Sequence, residues 1–294
     1  MRFEGTYTAL VTPFDKQGNL DEEGLRELIR FQLQEGIDGL VPVGTTGECS
    51  TLSYEEHERV IEIVVEEAKG RVPVVAGTGS NSTREALMLT NFAREAGADG
   101  ALLVVPYYNR PTQEGLYQHF KELAEKVDIP QILYNIPSRT GVNLLPQTVA
   151  RLAEIKNIVG IKEASTVDQV SEIIELTRGK DFVVFSGNDN QTLPILALGG
   201  VGVISVASNV APRLVSEMVR AFRKGKVEEA RELHYRLSPL FRALFLETNP
   251  APVKAALEMM GLPAGPPRLP LVEISQQNRE ILRKVLIDLG LLKK

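Results

Sequence analysis

Residues 131–162 read QILYNIPSRTGVNLLPQTVARLAEIKNIVGIK. Two short apolar runs, Gln131–Ile136 and Ile158–Lys162, flank a segment with helical spacing of its apolar residues, Pro146–Glu154. Both runs are too short for helices and lack polar alternation, the pattern of parallel strands buried on both faces. A strand, a crossover helix and a second strand within about thirty residues make one βαβ unit.

The same unit recurs on either side. Earlier runs are Tyr7–Thr12, Gly39–Val43, Val72–Gly77 and Gly100–Pro106; later ones are Phe182–Ser186 and Gly202–Ala207. Amphipathic helices are expected at Asp21–Glu35, Tyr54–Lys69 (stopped by Gly70), Thr83–Glu95, Gln113–Lys126, Val167–Thr177, Leu193–Leu198 and Arg213–Arg223. Ser82 and Ser165 read as their N-terminal caps where they precede a helix. Eight successive strand–helix units predict an α/β fold, a (β/α)8 TIM barrel over residues 1–225. A doubly wound sheet is the alternative, but it has fewer units and carries its glycine-rich signature after the first strand. Residues 226–294 contain no strand run. Helices at Val227–Leu237, Pro239–Leu246, Pro252–Met260 and Gln276–Leu289, broken at Asn249-Pro250 and Pro263–Pro270, read as an appended C-terminal helical extension.

Composition narrows the function. The 33 basic and 38 acidic residues give a net charge of −5, which argues against a nucleic-acid or anionic-membrane footprint. A single cysteine, Cys49, excludes a disulfide within the chain and a cysteine-cluster metal site. Met1–Asp15 lacks the basic and apolar regions of a signal peptide, and no apolar stretch approaches the ~18 residues of a membrane helix. A cytoplasmic location is expected. The histidines, His57, His119 and His234, lie on predicted helices without ligand spacing and read as surface or packing residues; no metal is expected.

Barrel enzymes work at the C-terminal ends of their strands. Lys162 ends the sixth run. There, desolvation lowers an amine's pKa and prepares it as a Schiff-base nucleophile; a snorkelling or ion-paired lysine is the other reading. Gly44-Thr45-Thr46-Gly47-Glu48 follows the second run and offers backbone N–H groups and hydroxyls to a carboxylate. Tyr107, Tyr108 and Tyr134 fall near one rim, as acid/base groups needing a relay or as plain packing. Arg139 suits bidentate carboxylate binding, or else an ordinary surface ion pair.

Taken in order at matching strand ends, Gly44–Glu48, Tyr134-Asn135-Ile136-Pro137 and Gly160-Ile161-Lys162-Glu163 resemble the pyruvate-dependent class I aldolase family of dihydrodipicolinate synthase and N-acetylneuraminate lyase. The resemblance runs over essentially the whole chain. Tyr107-Tyr108-Asn109-Arg110-Pro111 and Arg139-Thr140-Gly141 are similar to the synthase branch, because the sugar-acid lyases usually lack an arginine there. The resemblance implies a lyase of lysine and diaminopimelate biosynthesis with no cofactor. Lys162 would form an imine with pyruvate, and the enamine would add to L-aspartate 4-semialdehyde to give 4-hydroxy-tetrahydrodipicolinate.

By the same resemblance, Tyr134 would give and take the proton. Thr45 would link it to Tyr108, which reaches across a tight dimer interface. Thr46 would hold the pyruvate carboxylate, Arg139 the semialdehyde carboxylate, and Gly187 and Ile204 would line the pyruvate site. A homotetramer built from two tight dimers is implied. So is an allosteric L-lysine site at Cys49, Ser50, Tyr54, His57, Asn81, Glu85 and Tyr107, although Cys49, Ser50 and Tyr54 depart from the pattern of sensitive members. Two alternatives stay open: a sugar-acid aldolase of N-acetylneuraminate or 2-keto-3-deoxygluconate type, and a non-enzymatic keto-acid-binding barrel.

Overall fold

A computed structural model describes residues 3–293. Met1, Arg2 and Lys294, the outer ends of the N-terminal stretch and of the helical extension read above, lie outside the described residues. The strands are β1 (Gly5–Ala9), β2 (Gly39–Val41), β3 (Val75–Gly77), β4 (Gly100–Val104), β5 (Gln131–Asn135), β6 (Ile158–Glu163), β7 (Val183–Ser186) and β8 (Gly202–Ser205). All pair in parallel in the order β2-β1-β8-β7-β6-β5-β4-β3. A parallel bridge between Leu40 and Val74 closes the ring, together with a 3.0 Å bond from Gly77 N to Pro42 O.

Period-two alternation explains the apolar runs. One set of side chains, Tyr7, Val41, Val75, Leu102, Ile132, Tyr134, Phe185 and Ile204, fills the barrel interior. Gly39 leaves room for this filling, since a Cβ there would meet the Tyr7 ring at 2.1 Å. The intervening residues face outward onto the helices α1 (Glu22–Gln34), α2 (Tyr54–Ala68), α3 (Thr83–Glu95), α4 (Gln113–Lys126), α5 (Pro137–Thr140), α6 (Pro146–Leu152), α7 (Val167–Leu176), α8 (Thr192–Leu198) and α9 (Pro212–Arg223). Leu40 and Ala76 thus pack with Leu25, Ile29, Ile61 and Val64, while Leu103, Leu133 and Ile161 pack with Leu116, Phe120 and Val149. Strands buried on both faces are the physical reason that their sequence does not alternate.

Three local readings need correction. The first strand ends at Ala9 rather than Thr12, because the Asn209 side chain takes over the ladder, donating to Ala9 O at 2.8 Å and accepting from Val11 N at 3.2 Å. Ser82 caps α3 as expected, but Thr166, not Ser165, caps α7: its hydroxyl accepts from Gln169 N. Ser165 is held earlier in the turn by its N–H, which donates to Glu163 Oε1 at 2.8 Å. The break expected before Pro239 is absent, and α10 runs unbroken over Val227–Ala243. Proline removes one helical bond on the exposed side, a cost of about 3 kcal/mol, and burial of Leu237, Leu240 and Phe241 offsets it.

The C-terminal segment adds α11 (Ala251–Met259) and α12 (Gln276–Asp288). Its packing is continuous with the barrel. Leu240, Phe241, Val253, Leu257, Leu282 and Leu286 share one apolar core with Val11, Leu28, Val203 and Val219. Among the described residues, no helix is long and apolar enough to cross a membrane.

Candidate active site

Parallel neighbours bring two distant residues together. In the β5–β6 register Tyr134 lies beside Lys162, and in the β6–β7 register Lys162 lies beside Phe185. All three point inward near the C-terminal rim. Lys162 is 5% exposed and its Nζ sits 4.2 Å from the centroid of the Tyr134 ring. Among the described residues it makes no ion pair or hydrogen bond. Burial pushes its pKa down to about 7; the nearby Asp189 charge opposes the shift and Arg139 reinforces it. A large fraction of the amine is therefore neutral at physiological pH, the state a carbonyl nucleophile requires.

Tyr134 is fully enclosed, and burial pushes its phenol up to about 12, countered by a hydrogen bond with Thr45 and by the Arg139 charge. Thr45 belongs to the loop after β2, where the backbone departs sharply from the strand: Val43 has φ 49° and Glu48 has φ 54°. A β-branched residue in that region is a strained outlier, of the kind that clusters at ligand-binding loops. Thr46 is buried, and its Oγ1 accepts from Asn249 Nδ2 at 3.1 Å. Arg139 comes from the one-turn helix α5, and its Nη2 donates to Asn249 O at 3.1 Å. A cavity of about 300 Å³ opens between these elements, lined among others by Thr45, Cys49, Tyr107, Arg139, Asn249 and Leu271. Lys162 and Tyr134 are outside that lining and connect to it through Thr45 and the Arg139 charge. The space suits two small acids side by side, with a cation on its wall.

Gly187 and Ile204 sit where interior packing demands them. Gly187 N donates to Glu163 O at 2.7 Å, and a Cβ at Gly187 would come within 2.6 Å of the Ala164 Cβ. Ile204 is buried in the same interior cluster as Tyr134. Tyr108 is different: it is 91% exposed with φ 71°, and within this chain it does not reach Thr45. Its neighbour Asn109 anchors the loop by donating to Asn81 O at 2.8 Å.

The expected allosteric residues partly gather on one patch. Glu85 accepts from Ser80 Oγ at 2.8 Å and from the Tyr54 hydroxyl, and Tyr107 in turn bonds Ser80. His57 is buried with Nε2 2.8 Å from Gly77 O, and burial lowers its pKa. Cys49 is half-buried on the wall of this cavity beside Ser50, and desolvation pushes its thiol up to about 11.

Several functional side chains escaped the sequence reading. Asp189 is buried beside Lys162, accepting from Ser205 Oγ at 2.5 Å, Val206 N at 3.1 Å and Ala207 N at 3.0 Å. Asn135 and Glu163 are the next pair after Tyr134 and Lys162, so alternation turns them to the outer face. There Asn135 Nδ2 donates to both Glu163 oxygens, at 3.0 and 3.1 Å, and Gln169 Nε2 donates at 3.1 Å. That network locks the strand register one step from the inward pair. Asn249 and Lys254 come from the C-terminal segment. Lys254 carried a readable signal, a single cation in the apolar run Ala251-Pro252-Val253-Lys254-Ala255-Ala256-Leu257.

An enclosed, partly neutral lysine against a phenol at the strand ends of a (β/α)8 barrel defines a lyase of the class I aldolase type. The chain belongs to the Dihydrodipicolinate synthetase family, which it matches over residues 2–288. It is 59% identical over 289 residues to 4-hydroxy-tetrahydrodipicolinate synthase of Methanothrix thermoacetophila, covering 98% of this chain and 97% of that one. The crystal structure of dihydrodipicolinate synthase from Thermotoga maritima superposes with a TM-score of 0.97 at 49% identity, over 99% of this chain and 100% of that one. The lysine-bound enzyme from Cyanidioschyzon merolae gives 0.96 at 43% identity, over 99% of each chain.

Proposed function

We propose that this chain condenses pyruvate with L-aspartate 4-semialdehyde to give 4-hydroxy-tetrahydrodipicolinate. The observation that carries this reading is the Lys162 amine, buried without a carboxylate bonded to it and lowered to about 7, over the Tyr134 ring. Lys162 Nζ attacks the pyruvate ketone and water leaves, forming an imine. Tyr134 takes a proton from the pyruvate methyl carbon as it passes its own hydroxyl proton to Thr45, giving an enamine. That carbon adds to the aldehyde, whose oxygen collects a proton. The amino group of the semialdehyde then closes on the imine carbon and displaces Lys162. Thr45 serves the phenol as a hydrogen-bond relay, which offsets its poor basicity at neutral pH. Thr46 and the loop N–H groups suit the pyruvate carboxylate. Arg139, on the cavity wall, suits the carboxylate of the aldehyde.

Borohydride reduction with pyruvate, followed by mass analysis, tests the imine: a pyruvate-derived adduct on Lys162 is expected, and its absence removes the reading and leaves a keto-acid binder. Parallel assays with aspartate semialdehyde and with sugar acids separate the synthase from a sugar-acid aldolase. A cytoplasmic location and a homotetramer of paired tight dimers complete the proposal. Tyr108, exposed on a left-handed backbone, is the residue that a second copy would receive into its Thr45 relay. Sedimentation that found a fully active monomer would refute that assembly. The cluster of Glu85, Tyr54, Ser80 and Tyr107 supports a lysine-responsive site, since a carboxylate suits the ligand's ammonium. Initial rates with rising L-lysine decide it: partial inhibition is expected, and an unchanged rate discards the site.

A further inference from the structure

The C-terminal segment grips the loop after β2 from behind. Lys254 is the one cation in α11, and its Nζ donates to Glu48 Oε1 at 2.5 Å and to Pro266 O at 3.1 Å. Glu48 Oε2 accepts a second bond, from Arg268 N at 2.8 Å. Both side chains of the ion pair are 1% exposed. The Phe14 ring packs against the two cations, 4.2 Å from Lys254 Nζ and 4.0 Å from the Arg268 guanidinium. Arg268 is itself anchored to Glu56 and to the carbonyls of Gly18 and Thr51.

Glu48 needs such a hold. Its left-handed backbone is unfavourable for a residue with a Cβ, and it persists only where the surroundings over-determine it. It also closes the loop that carries the two threonines: Glu48 N donates to Thr45 O at 3.2 Å, and Cys49 N donates to Gly44 O at 3.3 Å. A shift of the Glu48 side chain is therefore passed directly to Thr45 and Thr46. Asn249, five residues before Lys254, attaches the same loop at Thr46.

We propose that Lys254 is a positioning residue for the keto-acid carboxylate: by holding Glu48 it sets the backbone of Thr45 and Thr46, and so governs pyruvate affinity rather than the reactivity of Lys162. This rests on the imine reading above. Burial pushes the Lys254 ammonium down to about 8, with the Glu48 charge opposing, so the charged amine predominates at neutral pH. Lys254 touches no substrate position itself; its action passes through Glu48.

The test is borohydride trapping of the full chain across a pyruvate series, read by mass spectrometry, with steady-state kinetics alongside. Lys254→Met should raise the half-trapping pyruvate concentration roughly tenfold or more, as expected for displaced positioning groups. The fraction trapped at saturation should stay near that of the unmutated chain. Glu48→Gln keeps one acceptor oxygen, removes the charge and turns an NH2 group toward the other donor, so a several-fold rise in the same direction is expected. Pyruvate KM should follow the half-trapping value while kcat changes less. Should Lys254→Met fail to fold, Glu48→Gln decides alone. An unchanged half-trapping concentration in the folded variants overturns the proposal. So does a loss of the saturating fraction with the half-concentration unmoved, the signature of a merely structural role. No trapping in the unmutated chain would overturn the imine reading and the proposal with it.

Discussion

Lys162 on β6 and Lys254 on α11 are lysines of nearly equal burial, 5% and 1% exposed. Desolvation lowers both, to about 7 and about 8 respectively. What faces the ammonium separates them. Lys254 donates to Glu48 at 2.5 Å, whereas Lys162 faces a phenol ring, and the nearest influential carboxylate, Asp189, is already occupied by Ser205 and two backbone N–H groups. Burial alone therefore does not make a lysine a nucleophile. The absence of a bonded counter-charge does, because it leaves the neutral form accessible and the lone pair unshared. The paired lysine is a strut, and the unpaired one is a reagent.

Substitutions at the two positions should pull apart along that line. Lys162→Ala should abolish borohydride trapping and lower turnover by at least about 10³-fold, since among the described residues no other strand carries a lysine. Retained trapping in that variant would erase the distinction. Lys254→Met should leave trapping at saturating pyruvate near that of the unmutated chain and, beside its effect on pyruvate affinity, should cost about 3–5 kcal/mol in denaturant unfolding because it strands a buried carboxylate. A double change, Lys254→Met with Glu48→Gln, should recover much of that loss by removing the stranded charge; no recovery would mean that packing rather than charge is what Lys254 supplies.

A smaller effect is the pH dependence of imine formation. A single amine with a pKa of about 7 predicts a rise of roughly tenfold between pH 6 and pH 8, levelling above. A continued tenfold gain per pH unit to pH 9 would show that Lys162 titrates like an ordinary lysine. The smallest effect is on the stability of the reagent lysine. Lys162→Met should raise stability at pH 7 by about 1 kcal/mol, because an unpaired buried amine is a cost accepted for function. The sign follows from linkage. The folded amine titrates near 7 and an unfolded lysine near 10.4, so the native state holds fewer protons between those values and gains stability as pH rises. The advantage of methionine should therefore shrink from pH 7 toward pH 10 in thermal melts. A gap that stays constant across that range would mean that Lys162 is not desolvated in the folded chain.

Lys162 was readable because an apolar strand tolerates so few cations that one stands out. Tyr134 was readable as a residue, but its partnership was not, since parallel pairing joins positions far apart in the chain. Glu163 lay in plain view beside Lys162, and only the alternation of the actual strand shows that it faces outward, to Asn135 and Gln169. Ser165 and Thr166 show the limit at a helix start, where two adjacent hydroxyls compete and a neighbouring carboxylate decides which one caps. The extension was the larger miss. Its helices were legible from their periodicity, whereas the reach of Asn249 and Lys254 into the β2 loop was not.

The sequence by itself determined the eight-fold alternation, the strand that carries the amine and the loop that offers hydroxyls and N–H groups. These are local properties: the period of apolar side chains and the rarity of a charge within them are written in a few consecutive residues. Only the tertiary structure decided which carboxylate meets which lysine. Lys254 and Glu48 are 206 positions apart, and their 2.5 Å contact exists because α11 packs against the barrel on the side of that loop. Electrostatic roles depend on distance and burial in space, and those quantities come into being only when the barrel closes and its C-terminal helices dock.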